Sequence, residues 1–221
     1  MKIKKQTISN KVFEYLRDQI ISQKLKSGDR IVESQVAKEL GVSQAPVREA
    51  LLQLEAMGLA ESKPYVGCTV LPVNMNIIDQ AYELRTMLEI YAVEKTTDTF
   101  ATDDIQEMEY HFHKMQEALK VGDRETIIEE DFLCHEVIMK KTKNPMLLKM
   151  WRMTAEQWSG LTITYYDNMN YIVDSHVDII KLLQEKNVNR LKEELKKHFN
   201  TARLITRHAF EATQCVTANQ K

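Results

Sequence analysis

Apolar residues recur every three or four positions along most of this chain, the period of an amphipathic helix. Strand-like runs are confined to one window near residues 59–73. An early helical stripe over 33–40 stops at Gly41. The turn Gly41-Val42-Ser43 separates it from a second stripe formed by Val47, Ala50, Leu51 and Leu54. Ser43 is placed to cap that second helix, and Pro46 falls in its first turn, where a missing N–H does no harm. Residues 59–63 and 68–73 read as two short strands with Pro64-Tyr65-Val66-Gly67 between them. Gly67 supplies the positive φ of a hairpin tip. Beyond Val73 the strand pattern ends. Asn74-Met75-Asn76 is a polar connector, and helical periods fill 77–99, 103–121, 124–142, 145–168, 171–185 and 188–213. The expected fold is mainly α: a winged helix-turn-helix over 1–73, a linker over 74–77 and an all-α helical bundle over 78–221.

Two helices at a tight turn can be ordinary packing, with Arg48 a solvated charge. A hairpin directly after the second helix changes that reading, because it forms a wing beside a recognition helix. Gln44 and Arg48 lie one turn apart, off the buried stripe. A helix entering the major groove presents its N-terminal side chains to base edges, where Gln pairs with adenine and Arg with guanine. Ser43, Gln44, Ala45, Arg48 and the wing residue Gly67 are the candidate DNA contacts. Residues 9–73 resemble the winged helix of the GntR family of bacterial transcription regulators. The resemblance rests on Leu16-Arg17, Ile20-Ile21, Gly28, Glu33, Gly41-Val42-Ser43, Pro46-Val47-Arg48-Glu49-Ala50-Leu51, Leu54, Gly58-Leu59 and Gly67. Ser27 stands where many members carry Pro, and Gln44 where many carry Arg.

Charge supports a division of labour. Residues 1–72 hold eleven Lys/Arg against eight Asp/Glu, a net +3, while the rest holds nineteen against twenty-four, a net −5. A basic head on an acidic partner domain fits nucleic-acid contact by the first. With 43% apolar residues in 221, the chain suits one or two folded domains. Cys68, Cys134 and Cys215 form an odd set without metal-like spacing, as expected in a reducing cytoplasm. The basic start, residues 1–5, is not followed by an apolar core, and no run is suited to spanning a membrane.

The second half places polar groups on apolar stripes. Arg85 interrupts Ile78, Ala81, Leu88 and Ala92, so it needs an anionic partner: Glu89 at i+4, or an anionic ligand. Asp131 and His135 share one helical face with Ile128 and Ile138. His176 lies on the seam Val173, Ile180, Leu183, and His198 on the seam Leu191, Leu195, Ala202, Ile205. Facing helices build metal sites from such inward groups. Three imidazoles and a carboxylate suit a divalent ion, with Zn²⁺ first and Ni²⁺ or Mn²⁺ as alternatives. His111, His113 and His208 lack this coherence and read as surface or packing residues.

This half resembles FCD, the ligand-sensing C-terminal domain of the FadR subfamily. The matching residues are Glu83-Leu84-Arg85, Leu88-Glu89, Asp131 with His135, Asn144-Pro145 with Leu148, His176 and His198. Ser175 stands where a glutamate often precedes the histidine. The resemblance implies a metal held by Asp131, His135, His176 and His198, a small carboxylate effector near Arg85, operator DNA as partner, and a homodimer. Tyr165 and Tyr166 either line that pocket or pack in the bundle. The alternatives are a repressor that senses the ion itself and a metal-dependent hydrolase. No general acid or base stands at helical spacing from the ligands, so no enzyme is expected.

Overall fold

The computed structural model describes residues 7–21, 24–56, 58–63, 67–71, 75–165 and 169–218, without the side chains of 21, 77, 156–165 and 213–218. It divides into two compact units, Met1–Ile77 and Ile78–Lys221.

The first unit runs α1 (Ile8–Ile21), β1 (Arg30–Ile31), α2 (Glu33–Leu40), α3 (Gln44–Ala56), β2 (Ala60–Lys63) and β3 (Gly67–Val70). Helix α2 stops at Gly41, whose φ of 65° lets its N–H reach back to the Ala37 carbonyl. The chain then re-enters helix at Gln44 with Val47, Ala50, Leu51 and Leu54 buried against Leu16 and Ile20 of α1. The sheet has the order β1-β3-β2, all antiparallel, with Arg30 opposite Thr69 and Lys63 opposite Gly67. Ile31, Cys68 and Val70 point into the core, leaving Arg30 exposed and Thr69 half-buried on the other face. Strand β1 was not expected. Two residues are too short to show a period, and their partner lies almost forty positions away. Strand β3 also ends earlier than the 68–73 run suggested.

The second unit holds all but the first three residues of α4 (Met75–Thr96), then a 3₁₀ turn (Thr97–Thr99), α5 (Thr102–Val121), α6 (Arg124–Lys141), α7 (Pro145–Tyr165), α8 (Asn170–Asp174), α9 (His176–Gln184) and α10 (Val188–Ala218). Its core gathers Tyr82, Met108, Met115, Ile127, Trp151, Leu195 and Phe199. The buried Tyr82 hydroxyl and Thr206 Oγ1 lie 2.9 Å apart, tying α4 to α10. Residues 75–77, read from sequence as linker, form the first turn of α4, since Asn76 is as compatible with an exposed helix start as with a connector.

The expected single helix over 171–185 is broken at Ser175. The Ile172 carbonyl accepts from Ser175 Oγ at 3.0 Å and from His176 Nδ1 at 2.6 Å. A continuous helix would give that carbonyl to the His176 N–H. Among the described residues no helix is long and apolar enough to cross a membrane.

Candidate metal centre and DNA-binding surface

Helices α6, α9 and α10 bring Asp131, His135, His176 and His198 to one point. All four are buried, and one potential ligand atom from each lies within 4.8 Å of the others. His176 Nε2 is 3.1 Å from His135 Nε2 and 3.3 Å from Asp131 Oδ1.

The outer nitrogens explain the orientation. His135 Nδ1 faces Glu89 Oε2 at 2.6 Å, His176 Nδ1 the Ile172 carbonyl, and His198 Nδ1 the Ser175 hydroxyl at 2.9 Å. A carboxylate and a carbonyl can only accept. Ser175 Oγ already donates to Ile172, so it accepts too. Each ring therefore carries hydrogen on Nδ1 and turns Nε2 inward. Burial holds the His176 imidazole down to about 4 and His198 well below its ordinary value, so both are neutral. Inward lone pairs crowd together, and neither buried oxygen of Asp131 receives a hydrogen bond among the described residues. Unbonded acceptors facing one another are suited to a shared cation. The donor set, three imidazoles and a carboxylate oriented by outer hydrogen bonds, fits a divalent transition metal.

Arg85 lies beside this cluster, 1% exposed. Its Nε donates to Glu89 Oε1 at 2.9 Å, and one terminal nitrogen is 3.5 Å from Asp131 Oδ2. Its guanidinium carbon is 4.9 Å from the Phe199 ring centroid. Glu89 also accepts from Trp151 Nε1 at 2.8 Å. Burial works against its charge, yet the hydrogen bond from His135 and the Arg85 guanidinium hold the carboxyl below its ordinary value. Glu89 was legible only as a partner for Arg85. Its contact with His135 joins α4 to α6, and sequence spacing does not cross helices. Tyr165 and Tyr166 lie outside the described side chains. His111 pairs with Glu130 and His113 with Gln116, away from the cluster, while His208 is exposed.

In the first unit, Ser43 precedes α3, and Gln44, Ala45 and Arg48 stand exposed on that helix. Arg48 Nε donates to Glu33 Oε2 at 2.6 Å and its terminal nitrogen to Gln44 Oε1 at 3.4 Å. Gly67 opens β3 with φ 94°. Residues 64–66 of the wing lie outside the described residues.

A winged helix followed by a helical bundle with an inward histidine–aspartate cluster defines a ligand-responsive transcription regulator. Residues 8–70 match the gntR family of bacterial regulatory proteins, and residues 80–201 match the FCD domain. The chain belongs to the GntR family and carries its FCD effector-binding domain. It is 31% identical over 149 residues to the HTH-type transcriptional regulator McbR of Escherichia coli (strain K12), covering 67% of each chain. It is 27% identical over 192 residues to the regulator YdhC of Bacillus subtilis (strain 168), covering 85% of this chain and 86% of the relative. It is 24% identical over 193 residues to the gluconate operon transcriptional repressor of Bacillus licheniformis, covering 84% and 79%. The solved structure of E. coli McbR/YncC shares the fold with a TM-score of 0.71 at 24% identity, over 93% of this chain and 99% of that one. The chain is a transcription regulator that binds operator DNA, not an enzyme.

Proposed function

We propose that this regulator is a cytoplasmic homodimer whose operator affinity is set by a small carboxylate bound at a metal centre. Asp131, His135, His176 and His198 hold one divalent ion per chain, Zn²⁺ first and Ni²⁺ or Mn²⁺ next. The ion supplies a Lewis-acidic anchor for oxygen anions. The observation that carries this reading is the unbonded Asp131 carboxylate among three inward Nε2 atoms.

Charge balance favours an anionic effector. With neutral imidazole ligands, Glu89 and Asp131 contribute −2 and Arg85 +1, so the bare cluster is −1 and a divalent ion makes it +1. A buried net positive charge recruits an anion, and a guanidinium is suited to gripping its carboxylate. Compact organic and sugar acids fit better than long apolar chains. Ser43, Gln44, Ala45, Arg48 and the wing at Gly67 form the DNA-contacting face. The winged-helix head of residues 1–73 is joined through 74–77 to the effector and dimerisation unit of residues 78–221. A homodimer supplies two heads for two half-sites. Effector binding shifts the balance between head placements that differ in effector affinity.

The test is a thermal-shift screen of organic and sugar acids on metal-analysed protein, its Arg85→Ala and its His176→Ala variants. Purified parent should carry about one equivalent of metal per chain, and His176→Ala should lose it. Acids that raise the parent's melting temperature should do so less in both variants and should change operator affinity. Parent protein without metal, and without a melting shift on adding Zn²⁺, Ni²⁺ or Mn²⁺, sinks the centre. Acids that stabilise both variants undiminished place the pocket elsewhere.

A further inference from the structure

The exposed face of the small sheet holds a cation that the helix-turn-helix pattern does not reveal. Arg30 stands on β1 opposite Thr69 of β3, and its neighbour Ile31 fills the core. The Arg30 guanidinium runs along β3 to Gly67, two residues from Thr69 on the same face. A Cβ built on Gly67 would lie 3.0 Å from Arg30 Nε and 3.1 Å from its terminal nitrogen. A side chain at 67 would therefore have to displace the guanidinium from its present position. Lys63 flanks Gly67 from the other strand, paired with Glu61 at 3.0 Å.

The arginines of this unit differ in how they are held. Arg17 pairs with Asp18 at 3.2 Å and Arg48 with Glu33 at 2.6 Å. Arg30 has no acidic partner among the described residues, and it is exposed. The exposed guanidinium meets the Gly67 position with its Nε edge, since the two nitrogens lie nearer the built Cβ than the carbon between them, and its outer edge is left for a partner outside the chain. On a winged helix that partner is the phosphate backbone, which guanidinium grips bidentately.

We propose that Arg30 is the wing's DNA anchor, a phosphate contact seated on Gly67. Gly67 is then favoured for two reasons: its φ of 94°, and the absence of a Cβ that would push Arg30 from its seat. This inference rests on the winged helix lying on DNA as proposed above. It adds a contact from β1 to the one proposed for the wing at Gly67.

The experiment uses the full chain, a duplex selected from a random library with the parent protein, and an unselected duplex of equal length. Binding is followed by fluorescence anisotropy across a salt series. Arg30→Ala should weaken both duplexes alike, by roughly tenfold at low salt, the worth of one charge-assisted contact. The salt slope should fall by about one per DNA-binding head. Arg30→Lys should keep most of the slope. Gly67→Ala should weaken binding in the parent but far less in the Arg30→Ala background, since only the backbone strain remains there. Equal costs of Gly67→Ala in the two backgrounds would separate Arg30 from Gly67 and overturn the seat. Unchanged affinity and slope in Arg30→Ala, with Arg48→Ala still abolishing preference for the selected duplex, overturns the anchor and leaves the recognition helix standing. If Arg48→Ala also changes nothing, the DNA-facing surface is misplaced and the anchor falls with it. Should Gly67→Ala unfold the wing, the slope of the folded Arg30→Ala protein still decides.

Discussion

Glu89 accepts from three donors, Arg85, Trp151 and His135, with no exposed surface. It therefore fixes the hydrogen position on His135 and shares Arg85 with the cluster. Glu89→Gln should lower metal affinity by ~10–100-fold, the usual cost of losing an outer partner of a liganding histidine. Competition with a chelator of known affinity measures it, and unchanged affinity would remove Glu89 from the centre. The four cluster residues were legible because each interrupts an apolar stripe on its own helix. Glu89 was half legible, through its spacing from Arg85. Ser175 was legible only as a departure from the family pattern. Its hydroxyl nonetheless meets His198, because the break after α8 turns it inward. Such contacts join different helices, and linear periodicity carries no information about them.

Helix boundaries followed the periodic pattern where Gly41, Gly122 or Asn144-Pro145 marked them, but not at the polar connector 74–76, where α4 already begins at Met75. They failed where side chains competed for a carbonyl, as at Ile172, and where pairing was long-range, as at β1. Between elements, α6 and α7 are clasped by Glu136, which accepts from Arg152 Nε at 2.6 Å and lies 2.8 Å from Lys140 Nζ. Burial alone would raise this carboxyl, but Arg152 and Lys140 hold it below its ordinary value. A depressed carboxyl stabilises the fold above its unfolded pKa of about 4.3 and loses that contribution as pH falls through the folded value. Arg152 is 43% exposed, so screening limits the contribution to about 1 kcal/mol. Glu136→Gln should therefore melt slightly below the parent at pH 7, with the gap closing under acid conditions. A gap that persists at low pH would assign Glu136 to packing and not to charge.

At the scale of the molecule, charge and pattern separate a head of net +3 from a remainder of net −5, and the chain divides at Ile77. What neither pattern nor composition carries is how a reading residue waits before it meets its site. Arg48 waits on Glu33. On a cognate half-site the guanidinium can trade that carboxylate for a guanine edge. On other sequence it gains nothing by leaving. If Arg48 reads bases as proposed above, Glu33 is a resting place for it, and its own charge would repel phosphate. With Arg48 reading bases in this way, search along DNA is expected to be smoother, because the head would snag less on the purines it passes. Glu33→Gln should lengthen dwell times on unselected DNA and slow one-dimensional diffusion in single-molecule tracking, and unchanged sliding would show that Arg48 needs no such restraint. On the proposed reading, the Arg48–Glu33 ion pair would be a brake on off-site binding, and its loss would delay arrival at the operator.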